Sequence, residues 1–86
     1  SLSESDAENV INEAVKKAED GDALIVRVYE CHNRRTKATL RAAAPLASAA
    51  ECDLLERNDE PLSTDGAAFS FEIRPYEIKT FKLILK

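Results

Sequence analysis

The sequence predicts an all-β fold, a small antiparallel β-sandwich of about six to seven strands. From Leu24 onward, apolar residues recur with the two-residue period of β-strands. Turn-forming residues separate these segments at short intervals. The 86 residues are 44% hydrophobic and 33% charged, which is ordinary for one folded domain. A chain of this length buries a thin core.

Three segments give the clearest strand signals. LIVRVYEC, residues 24–31, is rich in β-branched residues and apolar on both faces at its start, which predicts a central strand. AFSFEI, residues 68–73, alternates strictly, which predicts one face against a core and one in water. KTFKLILK, residues 79–86, is the predicted closing strand, with Ile84 as an apolar exception on its outward face.

Three other segments are less clear. TKATLRA, residues 36–42, and ASAAECDLLE, residues 47–56, are predicted as strands although their alanines favour helix. Between Val10 and Ala18 the apolar residues follow a helical spacing, and Ser5 or Asp6 could cap such a helix. The local pattern of this N-terminal segment therefore favours an amphipathic helix.

Turns are predicted at five places: Gly21, HNRR with Asn33, RNDEP ending in Pro61, STDG ending in Gly66, and Pro75. Such regular punctuation between short strands is typical of a sandwich or a barrel. We expect an immunoglobulin-like sandwich.

The acidic stretch around Gly21 raises the question of a calcium site. An EF-hand loop beginning at Asp20 would need oxygen ligands at its fifth and twelfth positions, but these are Leu24 and Cys31. We therefore predict a tight turn at Gly21, whose flanking acids keep an exposed tip solvated.

Charge and hydropathy exclude several partners. A net charge of −4 and a pI near 5.0 disfavour nucleic acid, and we expect the basic cluster Arg34–Lys37 to be solvated. No apolar run reaches the ~20 residues that span a bilayer, and the N-terminus is unlike a signal peptide. We expect no membrane partner and a cytoplasmic location. Because methionine is absent, we expect a fragment of a longer protein.

Metal and nucleophilic chemistry lack a sufficient set of residues. His32 is the one histidine, and Cys31 and Cys52 have no metal-binding or redox spacing. We expect both cysteines to be free thiols rather than a disulfide. No Ser or Cys stands at a motif spacing from His32, so a hydrolytic triad is not predicted.

Carboxylates and aromatic residues remain as candidates for a sugar site. Glu30, Glu56 and Glu77 could form a catalytic pair, but the favoured interpretation is cross-strand ion pairing with arginines, namely Arg27, Arg41 or Arg74. The sequence has no Trp, and its three Phe lie at core-facing positions. Tyr29 and Tyr76 alone could form a sugar-binding surface. We predict no catalytic, cofactor-binding or metal-binding residue in this chain.

Three blocks in order carry a family resemblance: VKKAEDGDALIVRVYE, ECDLLERN and FEIRPYEIKTFKLIL. Together they resemble the C-terminal β-sandwich region of glycoside hydrolase family 38 α-mannosidases, over Val10 to Leu85. Two positions depart from the family pattern, because Ala23 and Asn33 stand where glycine is common. Asn tolerates positive φ, so the second change is mild.

The resemblance implies that residues 9–20 form a β-strand, against their helical pattern. It also implies that residues 1–86 are a single C-terminal domain of a retaining, zinc-dependent α-mannosidase. The zinc ligands and the aspartate nucleophile of that family lie in its N-terminal catalytic domain. The domain is then a non-catalytic scaffold whose partner is the rest of the chain, and carbohydrate is bound through the parent enzyme. The alternative is an autonomous carbohydrate- or protein-binding module.

Overall fold

A computed structural model describes residues 3–17, 23–53, 55 and 57–86. These residues form eight strands: β1 (Ser3–Ser5), β2 (Val10–Lys17), β3 (Leu24–Glu30), β4 (Thr36–Ala42), β5 (Leu46–Cys52), β6 (Glu60–Leu62), β7 (Ala68–Ile73) and β8 (Ile78–Leu85). Six of them have at least six residues, whereas β1 and β6 have three. The all-β prediction is confirmed, and no helix in the described ranges is long and apolar enough to cross a membrane.

The strands form two antiparallel sheets, as predicted for a sandwich. One sheet has the order β1-β4-β7, and the other has the order β2-β3-β8-β5-β6. β3 pairs with β2 on one side and with β8 on the other, so the strand predicted to be central has two neighbours. The segments TKATLRA and AFSFEI coincide with β4 and β7, and the strict alternation of AFSFEI marks a strand with one buried face.

The N-terminal segment is a strand, as the family resemblance implied. β2 pairs antiparallel with β3 from Val10 opposite Glu30 to Lys17 opposite Leu24, with a bulge between Ala14 and Lys16. A helix over these residues would satisfy its own backbone groups but leave this edge of β3 without a partner. Tertiary pairing therefore overrides the local helical pattern.

The core lies between the two sheets and centres on three aromatic rings. Phe81 is fully buried, and its ring centroid lies 4.9 Å from that of Phe69 and 4.8 Å from that of Phe71. Aliphatic side chains from both sheets surround these rings: Val10, Val26, Val28, Leu40, Leu46, Ile73 and Leu83. This packing supplies most of the hydrophobic stabilisation of the sandwich.

Most of the predicted turns occur where expected. Asn33 has φ 58°, so asparagine adopts the left-handed conformation that glycine commonly supplies in the family pattern. Gly66 has φ 63° in the turn before β7. Pro75 lies in the turn closed by the hydrogen bond from the Glu77 N–H to the Arg74 carbonyl. The turn predicted at Gly21 lies outside the described residues.

Several strand ends differ from the prediction by one residue, as in β3 and β8, and two larger differences have a structural reason. The strand expected over residues 47–56 ends at Cys52, because the Asp53 carboxylate accepts the N–H groups of Leu55 and Arg57 and closes a local turn. Pro61 was expected to end a turn but lies within β6. Among the described strands β6 pairs with β5 alone, and an edge position accommodates a proline because its missing N–H is not needed on the open side.

Candidate functional site

The most elaborate polar arrangement in the described part of the chain surrounds Glu30, the last residue of β3. Its side chain is only 2% exposed. One carboxylate oxygen accepts hydrogen bonds from the Asn9 side chain at 2.8 Å and from the His32 N–H at 2.7 Å. The other oxygen accepts the Tyr76 N–H at 3.0 Å. Glu30 therefore joins three loops that are distant in sequence.

Asn9 extends this network. Its side-chain amide also donates to the Thr36 hydroxyl at 2.7 Å, and its main-chain carbonyl accepts the Cys31 N–H at 2.9 Å. The Asn9 side chain thereby fixes the loop before β2 to the turn between β3 and β4. Every donor in this network points to an oxygen atom, as expected for a buried polar cluster that stabilises one loop geometry.

The hydrogen bonds determine the charge of Glu30. Burial alone raises the pKa of this carboxyl group, but the donors from Asn9, Tyr76, His32 and Arg34 outweigh that effect and lower the pKa from 4.5 to about 2. Glu30 is consequently an anion at neutral pH, with both oxygens engaged. A catalytic acid needs the opposite, a raised pKa and a free proton.

The other carboxylate candidates are not placed as a catalytic pair. Glu77 accepts the Arg74 N–H at 2.8 Å within its own turn, and its carbonyl accepts the Glu30 N–H at 3.1 Å. The predicted ion pairing of Glu30 with an arginine is wrong, because an asparagine and backbone amides satisfy this carboxylate instead. Glu56 lies outside the described residues.

The histidine and cysteine candidates do not converge. His32 and Cys31 are exposed, Cys52 is buried, and neither cysteine is in a disulfide. Among the described residues, no group of three or more His, Cys, Asp or Glu side chains could hold a metal ion. The basic residues Arg34, Arg35 and Lys37 are exposed, as predicted for solvated charges.

An exposed apolar row crosses the outer face of the five-stranded sheet. Ile11 on β2, Tyr29 on β3 and Ile78 on β8 stand directly opposite one another, and we call these three residues the outer row. Their side chains are 39%, 36% and 58% exposed. Directly opposite residues on neighbouring strands have Cβ atoms about 5 Å apart. The outer row is thus a continuous apolar strip.

Tyr76 lies in the turn at the same end of the sheet. It is 65% exposed and has φ 57°, an uncommon conformation for a bulky residue that is not glycine. Its N–H is the group that donates to Glu30. Both tyrosines that the sequence singled out are therefore exposed. The sequence did not single out Ile11 and Ile78, because the register between two strands cannot be derived from either segment alone.

A polar groove lies on the other sheet. It has a volume of about 560 Å³ and is lined mainly by hydroxyl and charged side chains: Thr39, Arg41, Ser63, Thr64, Asp65 and Ser70. Its one aromatic residue, Phe69, is buried in the core. The described residues of this groove therefore offer no exposed ring on which a sugar could stack.

Comparison with known proteins adds a family match. Residues 9–81 match the glycosyl hydrolases family 38 C-terminal beta sandwich domain. The chain is 35% identical over 80 residues to alpha-mannosidase G of Dictyostelium discoideum, covering 90% of this chain and 7% of that protein. It is 29% and 30% identical over 82 residues to alpha-mannosidase 2C1 of Mus musculus and of Homo sapiens, covering 90% of this chain and 8% of each relative.

Proposed function

The chain belongs to glycosyl hydrolase family 38 as a C-terminal β-sandwich domain, and on that premise we propose that it is a non-catalytic structural domain of an α-mannosidase. The hydrogen bonds of the Glu30 carboxylate support this role most directly. The best-placed buried carboxylate holds three loops together and has no oxygen left for substrate. A structural domain needs residues that hold its loops in place, whereas a glycosidase active site needs free carboxylates.

The activity belongs, in this proposal, to a longer protein. The chain spans 7% to 8% of the length of the alpha-mannosidases that it resembles. The longer protein hydrolyses terminal α-mannosyl linkages with retention and uses zinc held outside these 86 residues. We place it in the cytoplasm, where reducing conditions preserve exposed free thiols such as that of Cys31.

Retaining hydrolysis requires two carboxyl groups about 5 Å apart, one ionised and one protonated, on either side of the scissile bond. Glu30 has a lowered pKa, and Glu77 caps the turn that contains Arg74. Both oxygens of Glu30 accept hydrogen bonds that hold its loops, and one oxygen of Glu77 closes its own turn. The two are therefore structural residues.

The test is an assay with an aryl α-mannoside, with and without added zinc. The 86-residue polypeptide should match the buffer blank, and metal analysis after dialysis should find far less than one zinc per chain. The full-length protein should turn over the substrate. Turnover by the short polypeptide that is abolished by Glu30→Gln or Glu77→Gln would contradict the proposal.

A carbohydrate-binding module is the second candidate, favoured by the exposure of Tyr29 and Tyr76 at one end of the sandwich. Titration with mannose oligosaccharides separates the two. A scaffold gives no saturable change, whereas a lectin-like module shifts the nuclear magnetic resonances of Tyr29 or Tyr76. Tyr29→Ser and Tyr76→Ser should then abolish that shift.

A further inference from the structure

The strand β7 lies at the edge of the three-stranded sheet and leaves one side of its backbone open. It pairs with β4, and no other described strand pairs with it. Such an edge presents main-chain N–H and C=O groups that a further strand can bond. The other edge strands are poorer templates, because β1 and β6 have three residues each and β2 contains a bulge. β7 has six regularly paired residues and no proline.

The hydrogen bonds at the start of β7 show which of its main-chain groups point outward. In an antiparallel sheet the N–H and C=O of one residue point to the same side, and neighbouring residues alternate. Ala68 exchanges both of its main-chain bonds with Asp65, whereas the carbonyl of Ala67 accepts the N–H of the last residue of β4. The alternation therefore directs the N–H and C=O of Ser70 and Glu72 away from β4. The described residues supply no main-chain partner for these four groups, which we call the open stretch.

The open stretch is short, because a turn closes the edge at each end. Asp65 occupies the edge beside Ala68. At the other end the Arg74 N–H donates to the Glu77 carboxylate at 2.8 Å, and the Arg74 carbonyl accepts the Glu77 N–H at 3.0 Å. About three residues of an added strand fit between these turns. A second copy that bonded all four open groups through its own β7 would place its Arg74 where Asp65 lies, so the space favours a short peptide.

A cavity lies at each end of the open stretch. The polar groove, of about 560 Å³, includes Ser70 in its lining. A second cavity, of about 260 Å³, is lined mainly by charged side chains: Arg35, Glu72, Ile73, Arg74, Glu77 and Lys79. Glu72 stands directly opposite Lys37 on β4, which balances its charge across the strands. Side chains of an added strand would therefore enter a cavity at either end.

The charges in the second cavity favour an anionic group. The ammonium group of Lys79 is paired with the Glu51 carboxylate at 3.0 Å, and the Glu77 carboxylate is engaged in its own turn. The guanidinium groups of Arg35 and Arg74 are exposed and form no ion pair with a described residue. Guanidinium groups bind carboxylates through two parallel hydrogen bonds. An acidic side chain therefore fits this end of the open stretch.

We propose that the open stretch of β7 binds a short extended peptide of another protein, which adds as an antiparallel strand and carries a carboxylate at its end nearest Arg74. Main-chain bonds to Ser70 and Glu72 provide affinity, and the second cavity provides the preference for an acidic side chain. Directly opposite residues share one face of the sheet, so the peptide residue opposite Phe71 is apolar. The small area of such a contact is typical of a transient interaction.

Fluorescence anisotropy with the full-length protein tests the proposal. The probe is a fluorescein-labelled peptide, Asp-Thr-Val-Thr-Val, whose three central residues lie opposite Glu72, Phe71 and Ser70. The N–H groups of its two threonines then point toward β7, and that of the central valine points away. We expect saturable binding that is lost when both threonines are N-methylated and kept when the central valine is N-methylated. Absence of saturable binding, or equal affinity of the two methylated peptides, would overturn the proposal.

Substitutions in the full-length protein give a second readout. Ser70→Pro removes an outward N–H, which an edge strand tolerates, and should weaken probe binding by about tenfold. Arg35→Ala combined with Arg74→Ala should weaken binding by about fivefold, as should a probe that begins with lysine instead of aspartate. Arg34→Ala is the matched control, since Arg34 is exposed but lies outside the cavity lining.

Equal affinity of all these variants and the unmodified protein would overturn the peptide site. The lysine probe keeps the test decisive if Ser70→Pro fails to fold, because it is measured on the unmodified protein. Probe binding does not depend on mannosidase activity, so failure of the peptide site and failure of the proposed function are distinguishable.

Discussion

The Glu30 carboxylate accepts the Tyr76 N–H at 3.0 Å across a separation of 46 residues. This bond joins the end of β3 to the turn between β7 and β8, at the point where Tyr76 adopts a positive φ. The favourable charge-assisted hydrogen bond offsets part of the backbone strain of that turn. A single side chain thereby positions the turn that leads into the outer row.

Replacing Glu30 tests how much its hydrogen bonds stabilise the fold. Glu30→Gln preserves the shape but places an amide N–H₂ among groups that are themselves donors, from Asn9, His32 and Tyr76. We expect the melting temperature at pH 7 to fall by about 5 °C or more, since buried donors lose their acceptor in a small domain. Differential scanning calorimetry measures this. Glu72→Gln, on an exposed position of β7, is the control and should have little effect.

The pH dependence of stability should follow the same carboxylate. Its pKa is lowered from 4.5 to about 2 in the folded protein, so Glu30 stabilises the fold above the unfolded pKa. That contribution is lost as the pH falls from about 4.5 to about 2. Denaturant unfolding at several pH values should show this loss, and Glu30→Gln should flatten the profile in that window. An unchanged slope in the variant would contradict the assignment.

The positive φ of Tyr76 leads to a separate prediction about protein stability. Because φ is 57° and the side chain is 65% exposed, Tyr76→Gly removes a strained conformation without losing much buried area. We expect the stability to be unchanged or raised by up to about 1 kcal/mol. Tyr76→Val should lower it by about 1 to 2 kcal/mol, since a β-branched residue disfavours positive φ. If valine is tolerated as well as glycine, the turn is not strained.

The aromatic core predicts a larger effect. Phe81→Ala removes a fully buried ring that contacts Phe69 and Phe71, and it should cost about 3 to 5 kcal/mol. That loss is a large part of the ~5–15 kcal/mol that stabilises a typical domain. Ile84→Ala, on the exposed face of the same strand, should cost less than about 1 kcal/mol. Urea unfolding compares the two, and similar costs would contradict the assigned faces of β8.

The two cysteines should differ in reactivity. Cys31 is exposed and Cys52 is buried, so a thiol reagent should modify Cys31 rapidly in the folded protein and Cys52 only on unfolding. Two thiols in total are expected after denaturation without reductant. Cys31→Ser should remove the rapid phase alone. Zero titratable thiols would show that a disulfide joins them.

Local sequence patterns predicted the strands with one buried face most accurately. β7 begins and ends where alternation begins and ends, and β4 has the predicted bounds although its alanines favour helix. The pattern was misleading for β2, where the residues have a helical spacing but the open edge of β3 pairs with them. The sequence also misplaced Pro61, which was predicted to end a turn. Only the pairing of β6 with β5 shows that β6 is an edge strand, where a proline is tolerated.

The sequence by itself determined the all-β class, the turn at Asn33 and the core positions of the phenylalanines, because period and turn chemistry are local properties. It also singled out Glu30, Tyr29 and Tyr76 by residue type. Only the tertiary structure decided that Glu30 is held by three loops and that Ile11, Tyr29 and Ile78 stand in one row. These relationships depend on the register between strands far apart in the chain, and a slip of one residue would move each side chain to the opposite face.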